Sequence, residues 1–515
     1  MTTSRTAGTR GSGDSRLNAA RRLRELEEAT DGRVADVLVV GLGATGAGVA
    51  LDAASRGLSV VAVDAHDIAF GTSRWSSKLA HGGLRYLASL QLGIAHESAV
   101  ERGILMQHTA PHLTHPTPWL IPLTRSTSHT AAFLDLAAFA AGDVLRRAAR
   151  TPSALLPPPR RVSRAAALAI APGLRRDGLR GAVLGWDCRL EDDARLVVAV
   201  ARTAAAHGAR VLTRTRVLSA VRDHAEIRDE LTGDTATIRA KVVVNATGVW
   251  AGDLTPDVHL RPSRGTHLVV RSSSLGAANA VVNAAIPGTT GRFVFTLPQS
   301  DGLTYIGLTD EAVEGHPDDV PAPGDHDIDF LLDTINTVLE RPLERSDVVG
   351  VYAGLRPLID AEGASADLSR RHAVLTSPDG VVTIVGGKLT TYRRMAQDVV
   401  DHVVQQQGLH AGRCVTAGLP LIGAADRAAL GRVHAPPRLV RRYGTEAPTV
   451  AADVTPAMLE PIASTVPTTP AELRFAVTHE GALDVDDLLD RRTRIGLVPA
   501  DRALALTAAH DALAH

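Results

Sequence analysis

Cysteine is nearly absent: Cys188 and Cys414 are the only two in 515 residues, far apart and in no metal or redox spacing. This excludes a disulfide framework and metal chemistry through cysteine, and it fits a reducing compartment. An excess of one charge is missing too, since 55 Lys+Arg stand against 56 Asp+Glu for a formal net charge of −1. No global field therefore favours nucleic acid. Long apolar runs are also lacking. A membrane-spanning helix needs roughly 18–20 apolar residues, and the nearest candidate, Ala131–Leu145, is broken by Asp135, Gly142 and Asp143. The first 24 residues carry six arginines and one acid, Asp14, without an apolar core, which does not support a secretory signal. Residues 1–33 read as a disordered or partly helical tail, with an organellar transit peptide as the other reading of that composition.

What is present is a large apolar inventory. Hydrophobic residues make up 45% of the chain and charged residues 22%, the balance of a soluble globular protein. At about 100–200 residues per domain, the length predicts two or three structural units.

The clearest local pattern runs from Asp36 to Asp64. Asp36–Val40 (DVLVV) is a short continuous apolar run, as in a strand buried on both faces, and GLGATG (Gly41–Gly46) follows at once. Ala47–Arg56 reads as an alanine-rich helix closed by Gly57, and Leu58–Val63 reads as a second strand ending at Asp64. In that context the three glycines have distinct tasks. Gly41 permits the tight turn, Gly43 lets backbone approach a pyrophosphate, and Gly46 lets the helix pack closely. Asp64 is placed to accept from ribose hydroxyls, which fits FAD or NAD and disfavours a 2′-phosphate.

Lys241–Val249 (KVVVNATGV) and Val381–Gly387 (VVTIVGG) repeat the strand-then-glycine form, so the parallel sheet is expected to be spread along the chain. Between them, Arg261–Arg271, Arg292–Leu297 and Thr304–Leu308 predict a largely antiparallel second sheet. The fold class expected is α/β: an interrupted Rossmann-type FAD-binding domain with an inserted, mostly antiparallel substrate-binding sheet, plus a C-terminal helical domain. The cofactor segments are placed at about 34–110, 185–252 and 350–408, and the substrate segments at about 111–184 and 253–349. Residues 411–515 read as the helical domain, with Pro470–Arg492 as its strongest helical pattern.

Four segments then carry a resemblance: SSKLAHGGLRYL (Ser76–Leu87), DCRLEDDARL (Asp187–Leu196), YAGLRPL (Tyr352–Leu358) and GGKLTTYR (Gly386–Arg393). Together with the glycine fingerprint they resemble the FAD-dependent glycerol-3-phosphate dehydrogenase family, over nearly the whole chain beyond the tail. The resemblance implies oxidation of sn-glycerol 3-phosphate to dihydroxyacetone phosphate by hydride transfer to FAD, with electrons passed to a quinone. A glycerol-3-phosphate oxidase using oxygen, a related 2-hydroxy acid oxidoreductase and a non-catalytic flavoprotein are the other readings.

By that resemblance His267, Arg356 and Lys388 fall at catalytic positions, and Arg85, Tyr86, Arg356 and Arg370 at substrate-binding positions. The implied cofactor positions are Gly41, Gly43, Gly46 and Asp64; Ser76, Ser77, Lys78, His81, Gly82, Gly83 and Leu84; Ala246, Thr247 and Gly248; and Gly387, Lys388, Leu389 and Thr390. The chemistry agrees, because oxidising a secondary alcohol needs a group to take the hydroxyl proton, and a phosphate dianion suits arginine's planar fork. Cys188 is expected to serve packing, and no metal is expected. The basic cluster Arg146, Arg147, Arg150, Arg160 and Arg161, beside Leu155 and Leu156, reads either as a solvated face or as a contact for anionic lipid. A homo-oligomer is expected, located in the cytoplasm or peripherally on the inner face of the cell membrane.

Overall fold

The computed structural model describes residues 13–83, 91–125, 127–289, 291–359 and 372–514. Strands β1 (Val34–Val40), β2 (Val60–Val63), β7 (Arg210–Leu212), β10 (Thr235–Asn245), β17 (Ala373–Thr376) and β18 (Val382–Val385) form one sheet in the order β17-β18-β10-β1-β2-β7. The β8 (Thr215–Val221) and β9 (His224–Asp229) hairpin extends it from β10. The pairs β10-β1, β1-β2, β2-β7 and β10-β18 are parallel.

Alternation along β1 explains why it reads as an unbroken apolar run. Val37 and Val39 face a core shared with helices Ala44–Ser55, Asp193–Ala206 and Tyr392–Gln407, represented by Ala47, Val200 and Val399. Leu38 and Val40 face the opposite core with Ile227 and Ile238. Each fully buried Val or Leu contributes about 1.5–3 kcal/mol, so a strand buried on both faces anchors the layer. From β1 the chain leaves to β2 on one side, while β10 pairs on the other. The carboxyl end of β1 is therefore a topological switch point, where ligands of open α/β sheets bind.

The second sheet holds β3 (Leu79–Ala80), β4 (Thr114–Leu123), β5 (Arg160–Ser163), β6 (Gly181–Leu190), β11 (Ser263–Arg271), β12 (Val281–Ala285), β13 (Phe293–Pro298), β14 (Leu303–Gly307), β15 (Glu311–Ala312) and β16 (Val348–Arg356). Its pairing is antiparallel except between β12 and β4. Helix Asp325–Asn336 covers one face through Leu331, Leu332 and Ile335. Among the C-terminal residues, helices Pro470–His479 and Pro499–Leu513 pack around Leu473, Leu488 and Leu489, and helix Pro437–Tyr443 packs through Leu439 and Tyr443 against Phe475.

Of the two readings of the tail, residues 13–33 take the partly helical one: helix Ala19–Thr30 docks on the first sheet, Ala29 enters its core, and Arg22, buried, pairs with Asp229 at 2.6 Å. One expectation is corrected. The Pro470–Arg492 pattern is not one helix, because it ends at His479, before Gly481 at φ +73°, and resumes as a wide turn over Asp487–Arg492.

Candidate active site

A cavity of about 1130 Å³ opens at the carboxyl ends of β1, β10 and β18 and runs between the two sheets. Its first wall is the glycine turn. Gly41 sits at φ +100°, a side chain there would meet the Ala246 carbonyl, and a Cβ on Gly46 would run into the Gly41 carbonyl oxygen. The turn is thus a cradle that only glycine fits, lined further by Gly43, Ala44, Thr45 and by Ala246, Thr247 and Gly248. Gly43 caps helix Ala44–Ser55, whose N-terminus carries the partial positive charge that favours a pyrophosphate.

Asp64 closes this end. Its carboxylate accepts from Leu42 N at 2.7 Å and from His66 N at 2.9 Å, and burial pushes its pKa up to about 6. The cradle, the helix N-terminus and the carboxylate fit a dinucleotide, and the volume exceeds the roughly 300–1,000 Å³ common for ligand sites, leaving room for a second small molecule.

The opposite wall carries the candidate base. His267 on β11 is buried and lines the cavity, with Nε2 2.9 Å from Ser77 Oγ. Its imidazole lies parallel to the Tyr352 ring, centroids 4.7 Å apart. Burial, reinforced by the charges of Lys78 and Arg356, holds its pKa well below the ordinary histidine value. A neutral imidazole is the form able to take a proton. Close by, Arg356 at the end of β16 donates to Asp310 at 2.8 Å, Ser263 Oγ at 3.0 Å and the Thr309 carbonyl at 3.1 Å. Lys388 follows the glycine pair of β18 and donates to Ser98 Oγ at 2.7 Å.

Comparison with known proteins agrees with this geometry. The sequence model of the FAD dependent oxidoreductase family matches residues 36–393, and that of the C-terminal domain of alpha-glycerophosphate oxidase matches residues 414–514. Glycerol-3-phosphate dehydrogenase 1 of Mycobacterium tuberculosis is 53% identical over 506 residues, spanning 96% of this chain and 98% of the relative. The chain belongs to the FAD-dependent glycerol-3-phosphate dehydrogenase family. Its cofactor is FAD. Among solved structures, the glycerol-3-phosphate dehydrogenase from Bacillus halodurans complexed with FAD matches with TM-score 0.74 at 28% identity, covering 96% of this chain and 94% of that one. L-alpha-glycerophosphate oxidase from Mycoplasma pneumoniae shares the fold at TM-score 0.56 and 17% identity, covering 76% and 99%.

Within this dehydrogenase-family site the sequence-derived residues divide into three groups. Gly41, Gly43, Asp64, Ser76, Ser77, His81, Ala246, Thr247, Gly248, His267, Arg356, Gly387, Lys388, Leu389 and Thr390 all line the one cavity. Gly46, Lys78, Gly82 and Gly83 do not. Gly46 packs behind the turn, Gly82 N donates to Asp187 at 3.1 Å, and Gly83 lies at φ +81° against the backbone of Ala95. Lys78 turns its ammonium inward, pairing with Asp193 at 2.8 Å, so any cofactor contact it makes is through backbone. Leu84, Arg85, Tyr86 and Arg370 lie outside the described residues.

Sequence reasoning missed Asp310, which fixes Arg356, and gave no role to Tyr352 or Asp193, although both stand inside quoted motifs. Cys188 is fully buried and its thiol is pushed up to about 12, in keeping with packing. The basic cluster is divided by burial: Arg146 is buried against Asp143 at 2.6 Å and Leu156 is in the core, while Arg147, Arg150, Arg160 and Arg161 remain exposed. Among the described residues no helix is long and apolar enough to cross a membrane.

Proposed function

We propose that the protein oxidises sn-glycerol 3-phosphate to dihydroxyacetone phosphate and passes the electrons to a quinone. The observation that carries this reading is the buried His267 imidazole lining the same cavity as the glycine cradle and the Arg356 guanidinium that Asp310 holds. FAD, when bound, supplies the hydride acceptor. His267 takes the C2 hydroxyl proton at Nε2, where Ser77 now bonds. Arg356 and Lys388 offset the developing alkoxide and the phosphate charge, with Arg85, Tyr86 and Arg370 completing the phosphate pocket.

Gly41, Gly43 and the helix N-terminus hold the pyrophosphate, Asp64 the ribose, and the Ser76–His81 and Gly387–Thr390 segments the flavin end. Residues 34–110, 185–252 and 350–408 serve the cofactor, and 111–184 and 253–349 the substrate. Attachment to the inner face of the cell membrane is peripheral and electrostatic, through the exposed arginines near Arg150 and Arg160, so 1 M salt, where the Debye length is about 3 Å, releases the protein. Release only by detergent overturns that assignment.

The match of the C-terminal residues to a domain described for an oxidase favours one second reading, in which oxygen is the acceptor. Anaerobic addition of glycerol 3-phosphate is expected to bleach the flavin. Timed reoxidation then decides the acceptor: a quinone analogue restores the colour rapidly and air slowly, and the reverse order assigns an oxidase.

A further inference from the structure

The wall that carries His267 is built from three strands at one level, where Gly307 of β14 and Tyr352 of β16 are its direct cross-strand partners. On one side a Cβ at Gly307 would overlap the imidazole, so glycine is what leaves it space. On the other the Tyr352 ring lies 8° from parallel to the imidazole. Tyr352 is held in turn by the Trp75 ring, stacked at 6.0 Å, and by three further contacts. Its hydroxyl donates to the Ser76 carbonyl at 3.3 Å, Tyr305 meets it edge-on at 5.5 Å, and the Lys78 ammonium sits 4.8 Å from its centroid.

Lys78 is fully buried, donating to Asp193 at 2.8 Å and to the Arg74 carbonyl. Asp193 also accepts from Ser76 Oγ at 2.7 Å. One tripeptide, Ser76–Lys78, therefore both bonds the imidazole through Ser77 and anchors the ring stacked on it. A buried ion pair is expensive to desolvate, and neither Lys78 nor Asp193 lines the cavity.

We propose that Tyr352 and Lys78 are positioning residues for His267: the ring fixes the plane of the imidazole, and the Lys78–Asp193 pair holds an ammonium against that ring. The proposal rests on the reading of His267 as the base. The charged and titratable groups around His267 are Lys78 and Arg356, Asp193 behind Lys78, Tyr305 and Tyr352, and Arg494 with Asp192 behind Tyr305. The two nearest cations oppose a proton on the imidazole, and burial keeps both phenols neutral. A ring that could tilt would leave Nε2 off the hydroxyl it must reach, and a misplacement of about 1 Å is worth about a hundredfold in rate.

The test uses the holoenzyme and two readouts. Deuterium exchange at the imidazole Cε1–H, resolved to the His267 peptide by mass spectrometry across pH, reports its protonation without turnover. Stopped-flow flavin reduction by glycerol 3-phosphate reports the rate. In the charge-neutral double variant Lys78→Met/Asp193→Asn, the His267 midpoint is expected to rise by about one pH unit. Lys78→Arg, which conserves the charge, is expected to keep it. Tyr352→Leu is expected to lose at least about tenfold in reduction rate with KM changed less than about threefold, and Tyr352→Phe to recover most of that rate.

A wild-type midpoint in the double variant overturns the proposal, as does a displaced midpoint in Lys78→Arg or a wild-type rate in Tyr352→Leu. If wild-type flavin is not reduced by glycerol 3-phosphate, the functional reading fails while the exchange profiles still decide the positioning.

Discussion

Asp310 holds Arg356 in a fixed pose, its carboxylate 2.8 Å from Nη1, while Ser263 Oγ bridges the two at 3.0 Å and 2.5 Å. A guanidinium restrained in this way lines the cavity in one pose, so a bound anion does not have to order it first. Arg356→Ala is expected to lower kcat/KM for glycerol 3-phosphate by at least about a hundredfold, and Arg356→Lys to recover only part, since a point charge lacks the planar fork. Asp310→Ala should raise KM by about tenfold while leaving the flavin bound. Steady-state kinetics of the three variants check this.

Cofactor retention should depend on pH through Asp64, whose pKa is about 6. The carboxylate is the better acceptor for a ribose hydroxyl, so the dissociation constant for FAD is expected to rise as pH falls through about 6. Asp64→Ala should cost about 1.5–3 kcal/mol of affinity, and Asp64→Asn should remove the pH step. Equilibrium dialysis of the flavin at several pH values measures both.

Acid stability carries a signature of His112. Burial and the Arg195 charge lower its pKa from 6.5 to about 3, so between those values the unfolded chain binds a proton that the folded chain does not. Stability is therefore lost as pH falls, at about 1.4 kcal/mol per pH unit for this one group. Urea unfolding of His112→Gln is expected to show a slope between pH 6 and 4 that is shallower by that amount.

The joint between the C-terminal helices and the cofactor layer depends on Asp67. It is fully buried and accepts from Arg491 at 2.7 Å and from Arg492 at 2.7 and 2.9 Å. Asp67→Asn leaves the buried Arg492 guanidinium without its carboxylate and Arg491 with Asp487 as its remaining buried partner, and about 3–5 kcal/mol of unfolding free energy should be lost. The urea midpoint is the readout.

The contrast between Asp64 and Asp310 shows what could be read in the sequence. Asp64 was legible because its task is local, one βαβ unit from the glycine turn. Asp310 gained its role only when β11 and β16 came together, and no spacing in the chain announces that contact. The first sheet was legible for the same reason as Asp64, since each strand carries its own apolar run and glycine. The docking of helix Ala19–Thr30 was not, because Arg22 meets its partner Asp229 207 residues later. Lys78 shows the converse: its motif was recognised, but the direction of its ammonium depends on Asp193 across the fold.

Rapid-mixing flavin reduction under anaerobic conditions, comparing glycerol 3-phosphate, glycerol and lactate in the wild type and Arg356→Ala, decides whether the site selects the phosphorylated alcohol. Binding energy from the phosphate should orient C2 for reaction, so glycerol, lacking it, should lose turnover as well as affinity. Fast bleaching is expected with glycerol 3-phosphate alone, slowed at least about a hundredfold in Arg356→Ala. Bleaching of the wild-type flavin by lactate or glycerol as fast as by glycerol 3-phosphate would contradict it.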